Sequence, residues 1–215
     1  MEQESFLESN LLQTIVMAVT VCVTAIIYWN KKRNELRAAA TILKLQIQDI
    51  EVNIENLKAE AIVGNCLSEQ PLYYSKVIFE ENNWLKYNYM FADKLGASNF
   101  ETIDKFFKIA QEIKTQQIFI KMKIQDSINA KCSFYYLQQY NRLNQTVSDI
   151  RENKEQLCMQ DLQYTKALYN NPALSIGTYI HQELCNGLEK GLNKYQRISG
   201  NIAFQKLCKV GGIIS

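Results

Sequence analysis

Few residues in this chain have types and spacings suited to acid–base or nucleophilic chemistry. His181 is the single histidine, four residues before Cys185 and on the same helix face. A serine or cysteine nucleophile needs a positioned base, usually histidine, so any triad here would have to be built on His181. A zinc site needs several nitrogen or sulfur ligands brought together. There is no second histidine. The six cysteines, Cys22, Cys66, Cys132, Cys158, Cys185 and Cys208, are scattered without a CxxC pair. The ligand helices of di-iron bundles carry Glu-x-x-His, whereas the residue three before His181 is Thr178.

Carboxylate pairs occur at Glu80-Glu81 and at Glu51 with Glu55, on helices that read as solvated. Neither GxGxxG nor GxxxxGK[ST] is present, so no classical phosphate loop is expected. The expectation is a chain that is not an enzyme, holds no metal or cofactor, and uses His181 structurally.

The charge balance points the same way. The 24 Lys and Arg nearly cancel the 22 Asp and Glu, which is not the strong basic footprint of a nucleic-acid binder. Nucleic acid is therefore not an expected partner. A basic C-terminal region alternates Lys190, Lys194, Arg197, Lys206 and Lys209 with Leu192, Tyr195, Ile198, Phe204 and Leu207. That pattern suits a helix lying on anionic lipid. It equally suits an ordinary amphipathic helix with a solvated cationic face, and that is the expected reading. Scattered cysteines fit free thiols in a reducing compartment better than a disulfide framework.

The element that positions everything else is the run Leu11 to Trp29, LLQTIVMAVTVCVTAIIYW, nineteen residues without a charge. At about 1.5 Å per residue it is roughly 28 Å long, near the bilayer core of about 30 Å. Lipid offers no hydrogen-bond partners, so a lone crossing segment must be helical. Tyr28 and Trp29 stand where amphipathic rings favour the headgroup level. Glu2, Glu4 and Glu8 precede the run, and Lys31, Lys32, Arg33 and Arg37 follow it. Basic residues stay cytoplasmic. The reading is a single-pass protein of the plasma or inner membrane, with residues 1–10 outside and residues 30–215 in the cytoplasm. A cleaved signal peptide would carry a basic n-region and a shorter apolar core.

Within the span, Gln13, Met17, Thr20 and Thr24 share a face beside the small residues Ala18, Cys22 and Ala25. Such residues let membrane helices associate. Threonine hydroxyls can instead bond back to their own helix.

From Asn34 to Ala61 the apolar residues keep a heptad. Leu36, Leu43, Ile50 and Leu57 hold one seam position, and Ala40, Ile47, Ile54 and Ala61 the other. Such a seam can pair two chains in parallel, and a homodimer through this helix is one reading. Ile42, Leu45 and Val52 widen the surface beyond a strict seam, which favours a helix inside its own chain's bundle. Lys44, Glu51, Lys58 and Glu60 flank the seam and could form cross-helix pairs.

Beyond Ala61 the chain has two prolines and eight glycines in all, too few turn residues for a β-protein. The fold class is all-α: a transmembrane helix, a juxtamembrane heptad helix over residues 30–62, and a cytoplasmic bundle of four to five helices over 63–210. Gly64-Asn65 breaks the first helix. The stretch from about Ser75 to Leu95, rich in aromatics from Tyr73 to Phe91, reads as one helix whose rings pack a core. Gly96-Ala97-Ser98 is a boundary, with Ser98 and Glu101 forming a capping box. A long helical region follows to about Asn170, with a turn expected between Asn144 and Asn153. After Asn170-Asn171-Pro172, a last helix runs from about Ser175 to Lys194 and resumes to Lys209. Its stripe is Ile180, Leu184, Leu188, Leu192 and Tyr195, and Gly187 with Gly191 permits close approach to a neighbour. Residues 211–215 read as a flexible tail.

The functional expectation is a membrane-anchored interaction or scaffold protein that presents its bundle to a protein partner. The alternative is a self-assembling effector whose span perturbs the bilayer.

Overall fold

The computed structural model describes residues 2–63, 66–146, 159–160, 162–163 and 182–213, and those residues are overwhelmingly helical. No glycine or proline precedes Gly64, so nothing interrupts the backbone ladder. One helix, α1, spans Glu2–Ala61. The N-terminal arm, the apolar run and the heptad read as separate segments are thus one continuous element. A two-residue antiparallel pair, β1 (Ile62–Val63) with β2 (Cys66–Leu67), turns the chain, and the Ser68 N–H closes the turn on the Ala61 carbonyl at 2.7 Å. Helix α2 follows at Glu69–Tyr74. Pro71 is in its first turn, where a missing N–H costs no helical bond. Next come α3 (Asn83–Tyr87), a 3₁₀ turn (Asn88–Met90) and α4 (Ala92–Leu95). Helix α5 spans Ala97–Thr146, α6 spans Gln182–Lys194 and α7 spans Ile202–Gly211.

The described chain departs from the sequence reading in four places. First, residues 75–82 are not helical. The backbone of that stretch is satisfied by side chains from distant helices, as detailed below. Second, α5 starts at Ala97, so Ser98 lies inside the helix and does not cap it. Gly96, at φ +76°, makes the corner between α4 and α5, and its carbonyl accepts the first helical bond, from Phe100 N–H at 3.0 Å. Third, Gly211 to Ile213 form an ordered helix end. Gly212 is left-handed at φ +62°. Its N–H donates to the Lys209 carbonyl, and the Ile213 N–H donates to the Cys208 carbonyl at 3.0 Å. This is the Schellman pattern. Fourth, Glu51 is buried, although its helix face read as solvated. The turn expected at Asn144 to Asn153 and the start of the last helix at Ser175 lie largely outside the described residues.

The chain divides into two compact units. The first unit comprises residues 1–47, 83–104 and 198–215. Its buried side chains include Leu36, Ala40, Leu43 and Ile47 of α1, Trp84, Phe91, Leu95, Ile103, and Phe204 and Leu207 of α7. The Trp84 indole N–H donates to Asp104 Oδ1 at 2.9 Å, and its ring lies 5.0 Å from that of Phe100. Gly211 sits so close to α1 that an added Cβ would be 2.3 Å from the Ala40 Cβ. The N-terminus of α7 is capped by Asn201, whose side chain accepts the Phe204 N–H at 2.9 Å.

The second unit comprises residues 48–82 and 105–197. Ile50, Ile54, Leu57 and Ala61 of α1 are buried in it, with Leu72, Ile78, Phe107, Ala110, Ile113, Leu188 and Leu192. The paired glycines of α6 do what their spacing implied. A Cβ on Gly191 would come 2.9 Å from Ile113 Cγ1, and one on Gly187 would come 2.6 Å from Gln116 Oε1.

Candidate membrane anchor and the cleft at its base

Within the described part of α1, the residues from Gln13 to Glu35 are all exposed. The helix is long and apolar enough to cross a membrane, and none of its apolar window is buried by the rest of the chain. A core helix of a soluble fold would be covered, and this one is not. Exposed apolar surface on this scale marks a contact with something other than water. Inside the run, the Thr20 hydroxyl donates to the Val16 carbonyl and the Thr24 hydroxyl to the Thr20 carbonyl, each at 2.8 Å. Both hydroxyls are therefore satisfied without a second helix. Gln13, Ala18, Cys22 and Ala25 are exposed beside them.

Tyr28 and Trp29 are exposed at the C-terminal end of the run. Directly below them, entirely within the first unit, a cleft of about 500 Å³ opens between α1 and the segment 89–94. Tyr28, Lys31, Lys32, Glu35 and Leu36 form one wall, and Tyr89, Met90, Asp93 and Lys94 the other. Lys31 and Lys32 were legible as interfacial cations. Tyr89, Met90 and Lys94 were not, because nothing in their local sequence tells that the fold returns them to the base of the span.

All eight seam residues of the heptad, Leu36, Ala40, Leu43, Ile47, Ile50, Ile54, Leu57 and Ala61, are buried within the single chain. The seam is thus filled by the chain's own packing, while Ile42, Leu45 and Val52 stay exposed. The aromatic stretch divides in two. Phe79, Trp84 and Phe91 are core, while Tyr74 and Tyr89 are exposed.

In the second unit the polar groups that matter were missed in the sequence. Gln117, wholly buried, donates through Nε2 to Ser75 Oγ and to the Lys76 carbonyl, each at 2.8 Å. Its Oε1 accepts the Ile78 N–H at 3.3 Å. Asn53 donates to the Ile78 carbonyl at 2.9 Å. Lys121 and Lys114 donate to the carbonyls of Ser75 and Glu80, and burial holds the Lys121 ammonium below its usual range. Four side chains from α1 and α5 thus take up the main-chain groups that a helix over 75–82 would have paired internally.

The basic C-terminal pattern resolves as an amphipathic surface. Leu192, Ile198, Phe204 and Leu207 are buried, and Lys190, Lys194 and Lys209 are exposed. Arg197 bridges the Glu51 and Glu55 carboxylates at 3.1 and 3.4 Å. The neighbouring Tyr195 hydroxyl is buried without a hydrogen-bond partner. Burial, then the nearby Glu51 and Glu55, push its phenol far up, with Arg197 opposing. Lys58 lies over its ring, 5.3 Å from the centroid. Burial also raises the thiols of Cys185 and Cys208, which disfavours the thiolate that nucleophilic chemistry requires. His181 lies outside the described residues. Among the described residues, no three His, Cys, Asp or Glu side chains converge as a metal site.

Fold and site together define a helical protein with, among the described residues, one helix long and apolar enough to cross a membrane. No protein-family model, curated protein or solved structure matches the chain.

Proposed function

We propose that this chain is a single-pass membrane anchor for a helical interaction domain, which it holds against the cytoplasmic face of the plasma or inner membrane. One observation carries the reading. The charge-free run is uncovered along its described length, with Glu2, Glu4 and Glu8 before it and Lys31, Lys32, Arg33 and Arg37 after it. The basic side defines the cytoplasmic end. Tethering confines the helical units to the membrane surface and raises their effective concentration toward a partner held there. The partner would dock on exposed surface, since the heptad seam is occupied within the chain.

The test is alkaline carbonate extraction of membranes from cells expressing the full chain, followed by protease protection. The chain is expected to resist extraction, and its C-terminal region is expected to resist protease added outside intact cells. Release by carbonate, or digestion of the C-terminal region from outside, would refute the proposal. Membrane depolarisation that disappears on replacing Gln13, Thr20 and Thr24 by leucine would replace it with the self-assembling effector.

A further inference from the structure

The cleft at the base of the anchor combines two features that a solvated groove would not need together. Its three lysines, Lys31, Lys32 and Lys94, face two carboxylates, Glu35 and Asp93. Among the described residues, no ion pair engages any of the three lysines. The cations are gathered but not neutralised, and the cleft keeps a net positive charge. Tyr28, Tyr89, Met90 and Leu36 supply an apolar lining between the charges. Tyr89 is among the most exposed large apolar residues described, at 73%.

Position then selects the ligand. Lys31 to Leu36 follow Trp29 by two to seven residues, which places them about 3 to 10 Å beyond the end of the apolar run. The headgroup layer on each side of a bilayer is roughly 5 to 8 Å deep. A cleft at that depth is bathed in phospholipid headgroups, and a lysine there attracts anionic lipid.

Resting on the anchor reading, we infer that this cleft binds the phosphate headgroup of an anionic phospholipid. Lys31 and Lys32 approach it from the anchor and Lys94 from the opposite wall, while Tyr28, Tyr89 and Met90 border the upper acyl chain. The lipid then links the anchor to the segment 88–94, so that the first unit is fixed on the bilayer at two points.

The experiment uses the full-length chain in mixed micelles containing phosphatidylglycerol and phosphatidylcholine at equal concentration, with retained lipids counted by native mass spectrometry. Preferential retention of one phosphatidylglycerol is expected. Lys94→Gln alone should lower that occupancy by about fivefold, the attraction of one lysine for anionic lipid. Lys190→Gln on the second unit should leave it unchanged. Three outcomes would overturn the inference: equal retention of the two lipids, loss confined to Lys31→Gln and Lys32→Gln with Lys94→Gln silent, or displacement of the lipid by millimolar inorganic phosphate. Carbonate extraction tests the anchor separately. A chain that carbonate strips from membranes yet prefers phosphatidylglycerol through Lys94 refutes the anchor and leaves the cleft standing.

Discussion

Replacing Gln117 by methionine tests the reasoning about residues 75–82 most directly. Methionine matches glutamine in length and fills the same buried space, but it offers no N–H donor and only a weak acceptor. The buried Ile78 N–H loses its acceptor, and an unsatisfied buried group costs about 1 to 3 kcal/mol. The Lys76 carbonyl belongs to an exposed residue and exchanges its partner for water at small cost. Ser75 keeps its own bond to the Leu72 carbonyl at 2.6 Å. The sum is about 1 to 3 kcal/mol, most of it local.

The assay is hydrogen exchange of the full chain in detergent, read peptide by peptide. If the segment opens locally, its amides should exchange about 5 to 150 times faster, at tenfold per 1.4 kcal/mol. Peptides from residues 36–47 should change little. An exchange rate over 75–82 within twofold of wild type would refute the claim that Gln117 holds this segment out of a helix.

The two glycines of α6 should behave differently. Gly191→Ala presses a methyl on the branched Ile113 side chain and should cost about 1 to 3 kcal/mol, read as a lowered denaturation midpoint. Gly187→Ala meets only the mobile end of Gln116 and gains about 1 kcal/mol of helix propensity, so it should be neutral or stabilising. Gly211→Ala sets a methyl against the Ala40 methyl, which has no rotamer to escape into, and should lose about 1 to 3 kcal/mol in the same assay. Maleimide labelling near neutral pH, followed by peptide mapping, should modify exposed Cys132 at least about tenfold faster than buried Cys185 and Cys208. Because both buried thiols titrate above their ordinary value, their labelling should accelerate only as the pH rises beyond the normal thiol range.

Features set by local periodicity could be read from the sequence. The heptad named eight residues of α1, and all eight are buried. The GxxxG spacing foretold a close helix contact, and Ile113 and Gln116 make it. Features set by long-range hydrogen bonds could not be read. Gln117 drew no attention in the sequence, whereas it is the residue that satisfies a connector some forty positions earlier. Residues 75–82 looked helical because their apolar spacing allows it, and the competing donors on α1 and α5 are invisible to any local window. Glu51 looked solvated because its partner, Arg197, lies 146 residues away. The cleft was half legible. Tyr28, Lys31 and Lys32 follow from the span, but Tyr89, Met90 and Lys94 reach it only through the turns at 88–96.

The unbroken course of α1 makes it a rigid shaft. From Gln13 to Ile47 it has no glycine, proline or irregular turn at which rotation could be absorbed. Each residue advances the helix by about 100° and 1.5 Å. The bearing of the exposed apolar run therefore fixes the compass bearing of the cleft wall and of the buried stripe of the first unit beneath it. One alanine inserted after Asn30 would swing the first-unit part of the helix below it by about 100°, whereas seven would return it to within about 20° of its original heading. Whatever grips the apolar end of the shaft sets the angle at which the rest of the first unit is held.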